Sequence, residues 1–582
     1  MLTRQARRLS RLPWTLRMIL GIVLLALGFA VVAKPFDSLT LLIWLIAMSL
    51  LIDGAERLLT AEGQVVHIAA GSVLVLVAVI VVAWPAISVA ALAVVVGIGL
   101  MTNAAHDLTA AWSERNGRVS HLLSGAAWLI FGVLALVWPD VAILVIAIAF
   151  GVRMILFGIG VIAHAVRGRN GARPEPHPRA RNGPARALGF AGRGFMLALA
   201  LALLTASVYL HDEPTQPGAF YTAPRDVPTE PGQLIRSKPY SHGVPDGVRG
   251  WLILYTTTGL NDEPRTGSAF VMAPERQSTS PREAILWTHG TEGADATCAP
   301  TLLPEPSPLV GPVAAMKDEL ANGRVIIGPD YPGTGTGGRQ GYLIGEDEGR
   351  SALDAVRAAR QLDGLRLADK TVVWGHSQGG QAALWTGILA PTYAPDVTLL
   401  GVAAASPASD LPKIVTEMDD TIVGQVMGAY VMRAYSETYP DVRVDGYVDP
   451  RVRTVYRAMS RRCLPAKSSL ISVLSAATMR GPMFNHDPGA GPLGKRLAEN
   501  VPTGHVEAPT FIAQGSADGL VLPTMQDAYV ARRCADGQRL LYRTYAGKDH
   551  LTVLDDDSPY IPDLVAWTQD RFTGQPQEDT CG

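Results

Sequence analysis

The feature that most constrains this chain is a series of long apolar runs in its first 210 residues. Residues 18–33 carry no charge, and neither does the stretch 68–105. A bilayer core requires about 20 apolar residues per helix, so the second stretch is long enough for two helices. A Trp84-Pro85 pair divides this stretch, which predicts a hairpin of two membrane-spanning helices.

Two further prolines give the same pattern, at Lys34-Pro35 and Trp138-Pro139. The spacings between the three prolines are 50 and 54 residues, which predicts a threefold repeat of one helical hairpin. The sequence therefore predicts a polytopic membrane domain over 1–166 and a basic linker over 167–193, followed by a seventh span at 194–210. The six earlier spans are expected at about 15–33, 38–56, 66–83, 86–105, 121–138 and 141–164. A secretory signal peptide is the rival interpretation of the first run, but five more apolar runs follow it.

The arginines indicate how these spans are oriented. Four arginines precede the first span, and the linker carries seven against Glu175 alone. Arginine is enriched on the cytoplasmic side of membrane proteins, so the N-terminus and the linker are expected in the cytoplasm. Seven spans then deliver residues 211–582 to the extracytoplasmic side. The net charge of -2 gives no electrostatic reason to expect a nucleic-acid partner.

Residues 211–582 have the pattern of an α/β domain. Short β-rich runs alternate with helical segments such as 344–363, which predicts a mostly parallel sheet covered on both faces. The region of about 409–507 has no strand run and is interpreted as an inserted, mainly helical cap. The expected strands are 250–256, 267–273, 283–288, 324–328, 370–375, 397–404, 509–514 and 539–545.

The sharpest motif is Gly375-His376-Ser377-Gln378-Gly379. It follows the apolar strand KTVVW and precedes the helix-forming run GQAALWTGIL. A G-x-S-x-G sequence between a strand and a helix is typical of a nucleophile elbow, in which a strained turn exposes the serine hydroxyl. The motif predicts an α/β-hydrolase fold with Ser377 as the nucleophile.

A serine nucleophile requires a base and an acid that orients the base. In this fold the acid and then the histidine follow the serine along the chain. The strand APTFIAQG ends at Gly515 and is followed by Ser516-Ala517-Asp518, and the strand LLYRTYAG ends just before Lys548-Asp549-His550. Asp518 and His550 are therefore both expected near the ends of strands. Asp549 competes with Asp518 for the role of the acid, but a direct neighbour of His550 in sequence can rarely reach its ring.

Acyl transfer also needs hydrogen-bond donors for the oxyanion that develops on the substrate. The backbone N–H of Gln378, directly after the nucleophile, is one expected donor. The second is expected from the loop after the strand at 283–288, where Gly290 and Thr291 are the two candidates.

These motifs resemble the secretory lipase family of α/β-hydrolases over residues of about 219–581. The similar segments are THGTEGADATCAP at 288–300, GPDYPGTG at 328–335, GYLIGEDEGRSALDAVRA at 341–358, GHSQGGQAALW at 375–385, YAPDV at 393–397 and KDHLT at 548–552. The resemblance implies hydrolysis of carboxylic esters, often triacylglycerols, with a helical cap over the acyl site. It also supports Ser377, Asp518 and His550 as the triad. The N-terminal repeat resembles acid-resistance membrane proteins built from short two-helix repeats.

All four cysteines lie in the region after the last apolar run. An even number confined to an extracytoplasmic domain is consistent with disulfides, and four cysteines allow three pairings. The resemblance implies one of the three, Cys298 with Cys463 and Cys534 with Cys581. Four buried free thiols are the alternative, which a cytoplasmic domain would favour.

The sequence thus predicts a membrane-anchored extracytoplasmic lipase or esterase that needs no metal or other cofactor. The expected partners are a lipid or other ester substrate and the membrane, while the oligomeric state and the natural ester stay open. One alternative is an envelope acyltransferase with the same triad. Another is a membrane stress or transport protein whose hydrolase-like domain only binds lipid.

Overall fold

The structure is a computed structural model that describes residues 13–33, 85–113, 117–138, 183–210, 215–303, 313–479 and 481–581, together with Gly311 and positions within 44–79 and 151–166. The chain divides into two compact units. The first contains residues 1–211 with the short segments 449–458 and 473–481, and the second contains the rest of the chain.

The first unit contains long apolar helices. Four of them are α1 (Trp14–Ala33), α2 (Pro85–Ser113), α3 (Arg118–Val137) and α4 (Gly183–Leu210). Within the described residues, three segments are long and apolar enough to cross a membrane, namely Trp14–Val32, Arg118–Val137 and Phe190–Leu210. They coincide with the first, fifth and seventh expected spans. The fourth expected span lies within α2, and the second and third lie mostly outside the described residues, as does part of the sixth.

Proline and glycine residues shape this helical unit. Helix α2 begins at Pro85, where the missing N–H costs no helical hydrogen bond. Helices α2 and α3 approach closely where Gly97 faces Gly132. A Cβ atom added to Gly132 would lie 2.7 Å from Met101 Cγ and 3.1 Å from the Gly97 carbonyl oxygen. Small residues at such crossings allow apolar helices to pack in close van der Waals contact.

The second unit is built on a nine-stranded mixed sheet. The strands are β1 (Leu234–Tyr240), β2 (Val248–Thr258), β3 (Pro264–Pro274), β4 (Arg282–Thr288), β5 (Val325–Pro329), β6 (Leu367–His376), β7 (Thr398–Ala405), β8 (Thr510–Gly515) and β9 (Leu540–Tyr545). Their order in the sheet is β1-β2-β3-β5-β4-β6-β7-β8-β9. The pairs from β5-β4 through β8-β9 are parallel, and the pairs β1-β2, β2-β3 and β3-β5 are antiparallel. All eight expected strands are present.

Helices cover both faces of the sheet, as the sequence predicts. On one face, the core contains α6 (Gly345–Ala359), α7 (Gln378–Tyr393) and α14 (Pro523–Ala535). On the other face it contains α5 (Val313–Ala321) and α15 (Tyr560–Thr573). Apolar residues alternate between the two cores along β4, where Leu286 belongs to the first and Trp287 to the second. The sheet is therefore buried on both faces, and the loops at the ends of its strands are available to form a site.

The region between β7 and β8 is largely helical. Its helices are α8 (Leu411–Met418), α9 (Ile422–Thr438), α10 (Val444–Tyr447), α11 (Arg453–Met459), α12 (Ser469–Met479) and α13 (Gly491–Glu499). An isolated antiparallel bridge joins Val448 to Phe484. This content agrees with the absence of a strand run in the sequence, whereas the cap boundaries of about 409–507 stay a prediction.

Candidate active site

The predicted nucleophile lies at a strained turn between β6 and α7. Ser377 has φ 56° and ψ −118°, a conformation that non-glycine residues rarely adopt. Two backbone hydrogen bonds of 3.0 Å hold the turn, from Ser377 N to the Ala405 carbonyl and from Ala408 N to the Ser377 carbonyl. The surrounding structure therefore fixes a strained conformation of the kind that is often found at active sites.

The glycines of the motif are required by close backbone contacts. A Cβ atom on Gly375 would lie 2.0 Å from the Gly379 carbonyl oxygen, and one on Gly379 would lie 1.9 Å from the Thr288 carbonyl oxygen. The Thr288 hydroxyl donates to the Gly379 carbonyl at 2.8 Å. The end of β4 is thus packed directly against the first turn of α7.

The structure brings the three predicted triad residues together. Nε2 of His550 lies 2.9 Å from Oγ of Ser377, and Nδ1 of His550 lies 2.9 Å from Oδ2 of Asp518. The three residues follow β6, β8 and β9, whose carboxyl ends meet at one edge of the sheet. Ligands of open α/β sheets bind at this edge. The hydroxyl, imidazole and carboxylate form a continuous hydrogen-bonded series.

Asp518 is held as a carboxylate that faces His550. Its Oδ1 accepts from the backbone N–H groups of Leu520 and Val521, both at 2.9 Å, and Gln514 Nε2 donates to its Oδ2 at 3.1 Å. Burial by itself raises the pKa of Asp518, but the hydrogen bond and charge of His550, together with these two N–H groups, lower it overall. An ionised Asp518 favours the His550 tautomer that carries a proton on Nδ1.

Asp549, the competing acid, is turned to its own loop. Its Oδ1 accepts from the N–H groups of Leu551 and Thr552 at 3.0 and 2.8 Å, and from the Thr552 hydroxyl at 2.8 Å. These bonds close the turn that carries His550. The expected preference for Asp518 as the imidazole partner agrees with this geometry.

A second histidine supports the loop that carries the first. His376 is buried, and its Nε2 donates to the His550 carbonyl oxygen at 2.7 Å. Burial, and secondarily the neighbouring His550, lower the pKa of His376 to about 3, so it stays neutral at ordinary pH. The motif G-H-S-x-G marks position 376, but only the folded structure reveals that its ring contacts the loop after β9.

A pocket opens at Ser377, and two of the expected oxyanion residues border it. Gln378 and Thr291 are among its lining residues, whereas Gly290 is not. The rest of the lining is mostly apolar and comes from α8, α9 and neighbouring loops, including Leu411, Ile414, Val415, Met418, Met427 and Val431. This lining favours an uncharged, apolar ligand group next to the serine.

The sequence does not single out Glu348, which lies close to this site. It occupies the first turn of α6, on the face shared with Ala352, Ala355 and Ala359. The signal in the sequence is an acidic residue at helical spacing from three small apolar ones, which predicts a carboxyl group on a buried helix face.

The two disulfides are also part of this unit. Cys298 is bonded to Cys463, and Cys534 is bonded to Cys581. Of the three possible pairings, the structure contains the one that the resemblance implies. The first bond joins the loop after β4 to the helical region between β7 and β8, and the second joins α14 to the end of the chain.

Similarities to known proteins indicate the class of reaction. Residues 313–580 match the secretory lipase family, and residues 19–64, 69–136 and 123–176 match a short repeat of unknown function. Lipase 6 of Candida albicans is 24% identical over 426 residues, which cover 66% of this chain and 88% of that protein. These similarities support a carboxylic ester hydrolase.

Two further comparisons extend this result. A secreted triacylglycerol lipase of Malassezia globosa is 29% identical over 226 residues, which cover 37% of this chain and 48% of that protein. The X-ray structure of Candida antarctica lipase A in its closed state aligns with a TM-score of 0.53 at 19% identity, covering 62% of this chain and 88% of that one. The structural similarity supports the lipase-like α/β-hydrolase fold.

Proposed function

We propose that this protein is a membrane-anchored, extracytoplasmic serine hydrolase that cleaves carboxylic esters of lipids through an acyl-enzyme on Ser377. The observation that carries the proposal is the pair of 2.9 Å contacts that His550 makes with Ser377 Oγ and with Asp518 Oδ2. This geometry allows a histidine to accept the serine proton while a carboxylate holds the ring.

The reaction follows from this arrangement in two steps. His550 Nε2 takes the proton of Ser377 as Oγ attacks the ester carbonyl, and the imidazolium then protonates the leaving alcohol. Water, activated by the same nitrogen, then hydrolyses the acyl-enzyme and releases a carboxylic acid. Asp518 stabilises the imidazolium in both steps. No step of this scheme uses a metal or an organic cofactor.

The negative charge of each tetrahedral intermediate requires backbone donors beside Ser377. The N–H of Gln378 is the first, because it follows the nucleophile at the start of α7. For the second we favour Thr291 over Gly290, because Thr291 borders the same pocket as Ser377. Donors that are already in position before the reaction stabilise an oxyanion more than water does, because water molecules have to reorient around the new charge.

The apolar pocket and the similarity to lipases together favour an ester with a hydrocarbon acyl chain. The acyl group would contact the leucine, valine and methionine side chains of α8 and α9. Removal of these apolar surfaces from water would stabilise the bound acyl group. Triacylglycerol is one candidate, since one similar protein is described as a secreted triacylglycerol lipase.

The apolar helices of the first unit support a membrane anchor. The arginine distribution and the two disulfides both favour an extracytoplasmic hydrolase region, because disulfides are rare in the cytosol. Alkylation of free thiols in the native, membrane-extracted protein, followed by non-reducing peptide mapping, tests the two disulfides and with them this topology. Four free thiols in the native, membrane-extracted protein would contradict it.

An ester panel of graded chain length, on the full-length protein in detergent, tests the proposed reaction. Wild type should release free fatty acid, and Ser377→Ala should lower the rate by several orders of magnitude. Transfer of the acyl group to an added alcohol in preference to water would instead indicate an acyltransferase. Substrate binding without turnover by wild type would indicate a lipid-binding protein.

A further inference from the structure

Glu348 has an unusual environment for a carboxyl group. It is completely buried in the first turn of α6. Burial raises its pKa well above the usual value, although hydrogen bonds from Gln378 and Leu343 oppose the shift. A buried acid that does not belong to the triad requires a reason, because burial of a carboxyl group costs free energy.

The hydrogen bonds of Glu348 converge on one oxygen. Its Oε1 accepts from Gln378 Nε2 at 2.5 Å and from the backbone N–H of Leu343 at 2.9 Å. Its Oε2 is buried and has no hydrogen-bond partner among the described residues. One carboxyl oxygen therefore joins the residue after the nucleophile to the turn that precedes α6.

That turn is itself strained and fixed on both sides. Leu343 has φ 57°, in the left-handed region that disfavours branched side chains. Glu348 accepts its N–H, and the hydroxyl of Tyr435 on α9 donates to its carbonyl oxygen at 3.0 Å. Leu343 lines the pocket beside Ser377, so the bonds that hold it also fix a wall of the site.

The same turn reaches the other expected oxyanion donor. The hydroxyl groups of Tyr342 and Thr291 lie 3.0 Å apart, within hydrogen-bond distance. Segment 342–348 thus contacts Gln378 through Glu348 and Thr291 through Tyr342. These are the two residues whose backbone N–H groups we assign to the oxyanion.

We propose that Glu348 is a positioning residue, which holds Gln378 and the Leu343 turn so that the two backbone donors converge on the oxyanion. The inference rests on the proposed function, because it requires the reaction at Ser377. An oxyanion is stabilised only by donors at the correct distance, and a small displacement of a donor lowers the rate strongly. The side chain of Gln378 is the connection through which Glu348 acts on the backbone of the same residue.

The test is Glu348→Leu in the full-length protein, with p-nitrophenyl butyrate as the substrate. We expect kcat to fall roughly 30- to 300-fold with KM changed less than about threefold, because loss of one oxyanion donor costs about 10²- to 10³-fold. The Ki of a boronic acid, which forms a tetrahedral adduct on the serine, should rise by a similar factor. Glu348→Gln keeps an oxygen that accepts both bonds and should retain kcat within about fivefold.

Asp354→Asn is the matched control. Asp354 is another buried carboxyl of α6, but it accepts from the Thr257 and Tyr393 hydroxyl groups and does not line the pocket beside Ser377. Its replacement should lower the Tm while kcat and the boronic acid Ki stay near the wild-type values. If it lowers kcat as much as Glu348→Leu does at an equal loss of Tm, Glu348 has only a structural role.

A second variant keeps the inference testable if Glu348→Leu does not fold. Gln378→Met removes the same hydrogen bond from its other end, so it should reproduce the loss of kcat and the rise in boronic acid Ki. Where both variants fold, the double variant should be no worse than the more impaired single one, since the two share one bond. Wild-type kcat in folded Glu348→Leu or in Gln378→Met would overturn the positioning role. Inactivity of the wild type itself would instead contradict the proposed function.

Discussion

Replacement of Asp518 by asparagine examines the triad through a change of one atom. The amide NH₂ of the new residue cannot occupy the Oδ1 position, because the N–H groups of Leu520 and Val521 both donate there at 2.9 Å. The NH₂ group therefore takes the Oδ2 position and donates to His550 Nδ1. Gln514 loses its hydrogen bond to this position, but its Nε2 still donates to the carbonyl oxygens of Gly515 and Val521 at 3.2 and 3.0 Å.

This hydrogen bond reverses the tautomer of His550. Nδ1 becomes an acceptor, so the proton moves to Nε2, which faces Ser377 Oγ at 2.9 Å. A protonated Nε2 cannot accept the serine proton. Because the same exchange in a serine protease lowers kcat about 10⁴-fold, we expect a loss of about 10³- to 10⁴-fold in kcat here, with KM nearly unchanged.

The assay is hydrolysis of p-nitrophenyl butyrate by the full-length protein, at equal concentrations of folded wild type and variant. Asp549→Asn is the control, because the hydrogen bonds that described residues donate to the Asp549 carboxylate come from its own loop. This variant should change kcat less than about threefold. A folded Asp518→Asn variant within tenfold of wild type would refute the assignment. So would an Asp549→Asn variant that is the more impaired of the two.

Three further changes test the packing, the covalent bonds and the electrostatics of the second unit. Gly379→Ala places a Cβ 1.9 Å from a carbonyl oxygen, so it should lower the free energy of unfolding by about 1–3 kcal/mol or more and abolish esterase activity. A Cβ on Gly446 would meet no atom within 4 Å, so Gly446→Ala should leave the free energy of unfolding in urea nearly unchanged. Replacement of both Cys534 and Cys581 opens a loop closed at a sequence separation of 47. Chain entropy predicts that the free energy of unfolding falls by up to about 4 kcal/mol, and an unchanged Tm would contradict this. Burial, and then the charges of neighbouring acidic residues, raise the pKa of Asp419 to about 7. The folded state therefore binds this proton more tightly than the unfolded state, and the associated stability is lost as pH rises from about 4 through 7. Asp419→Asn should flatten that decline in Tm, and an unchanged pH profile would contradict the assignment.

The sequence predicts the strands of the sheet well, for a physical reason. Strands such as β4 and β6 are continuous apolar runs because both of their faces are buried, and such runs stand out from the amphipathic helices around them. Strand β1 is not among the expected strands. Its sequence LIRSKPY is half polar and contains Pro239, which is tolerated because β1 lies at the edge of the sheet and pairs on one side only.

The residues of the site also differ in how far the sequence predicts them. Ser377, Asp518 and His550 follow strands along the chain, and the carboxyl ends of parallel strands meet at one edge of the sheet, so the sequence alone predicts that these three residues lie together. Glu348 and His376 could not be assigned in this manner. Glu348 reaches Gln378 across 30 positions and His376 reaches His550 across 174, and such contacts depend on how α6 and the loop after β9 pack.

Covalent labelling of the serine tests the central claim most directly. Full-length wild type is treated with a fluorophosphonate, and the modified peptide is identified by mass spectrometry while ester hydrolysis is followed in the same sample. We predict one adduct per chain at Ser377, formed in step with the loss of activity, and no adduct in Ser377→Ala. Loss of activity without modification of Ser377, or hydrolysis by Ser377→Ala at the wild-type rate, would contradict the account.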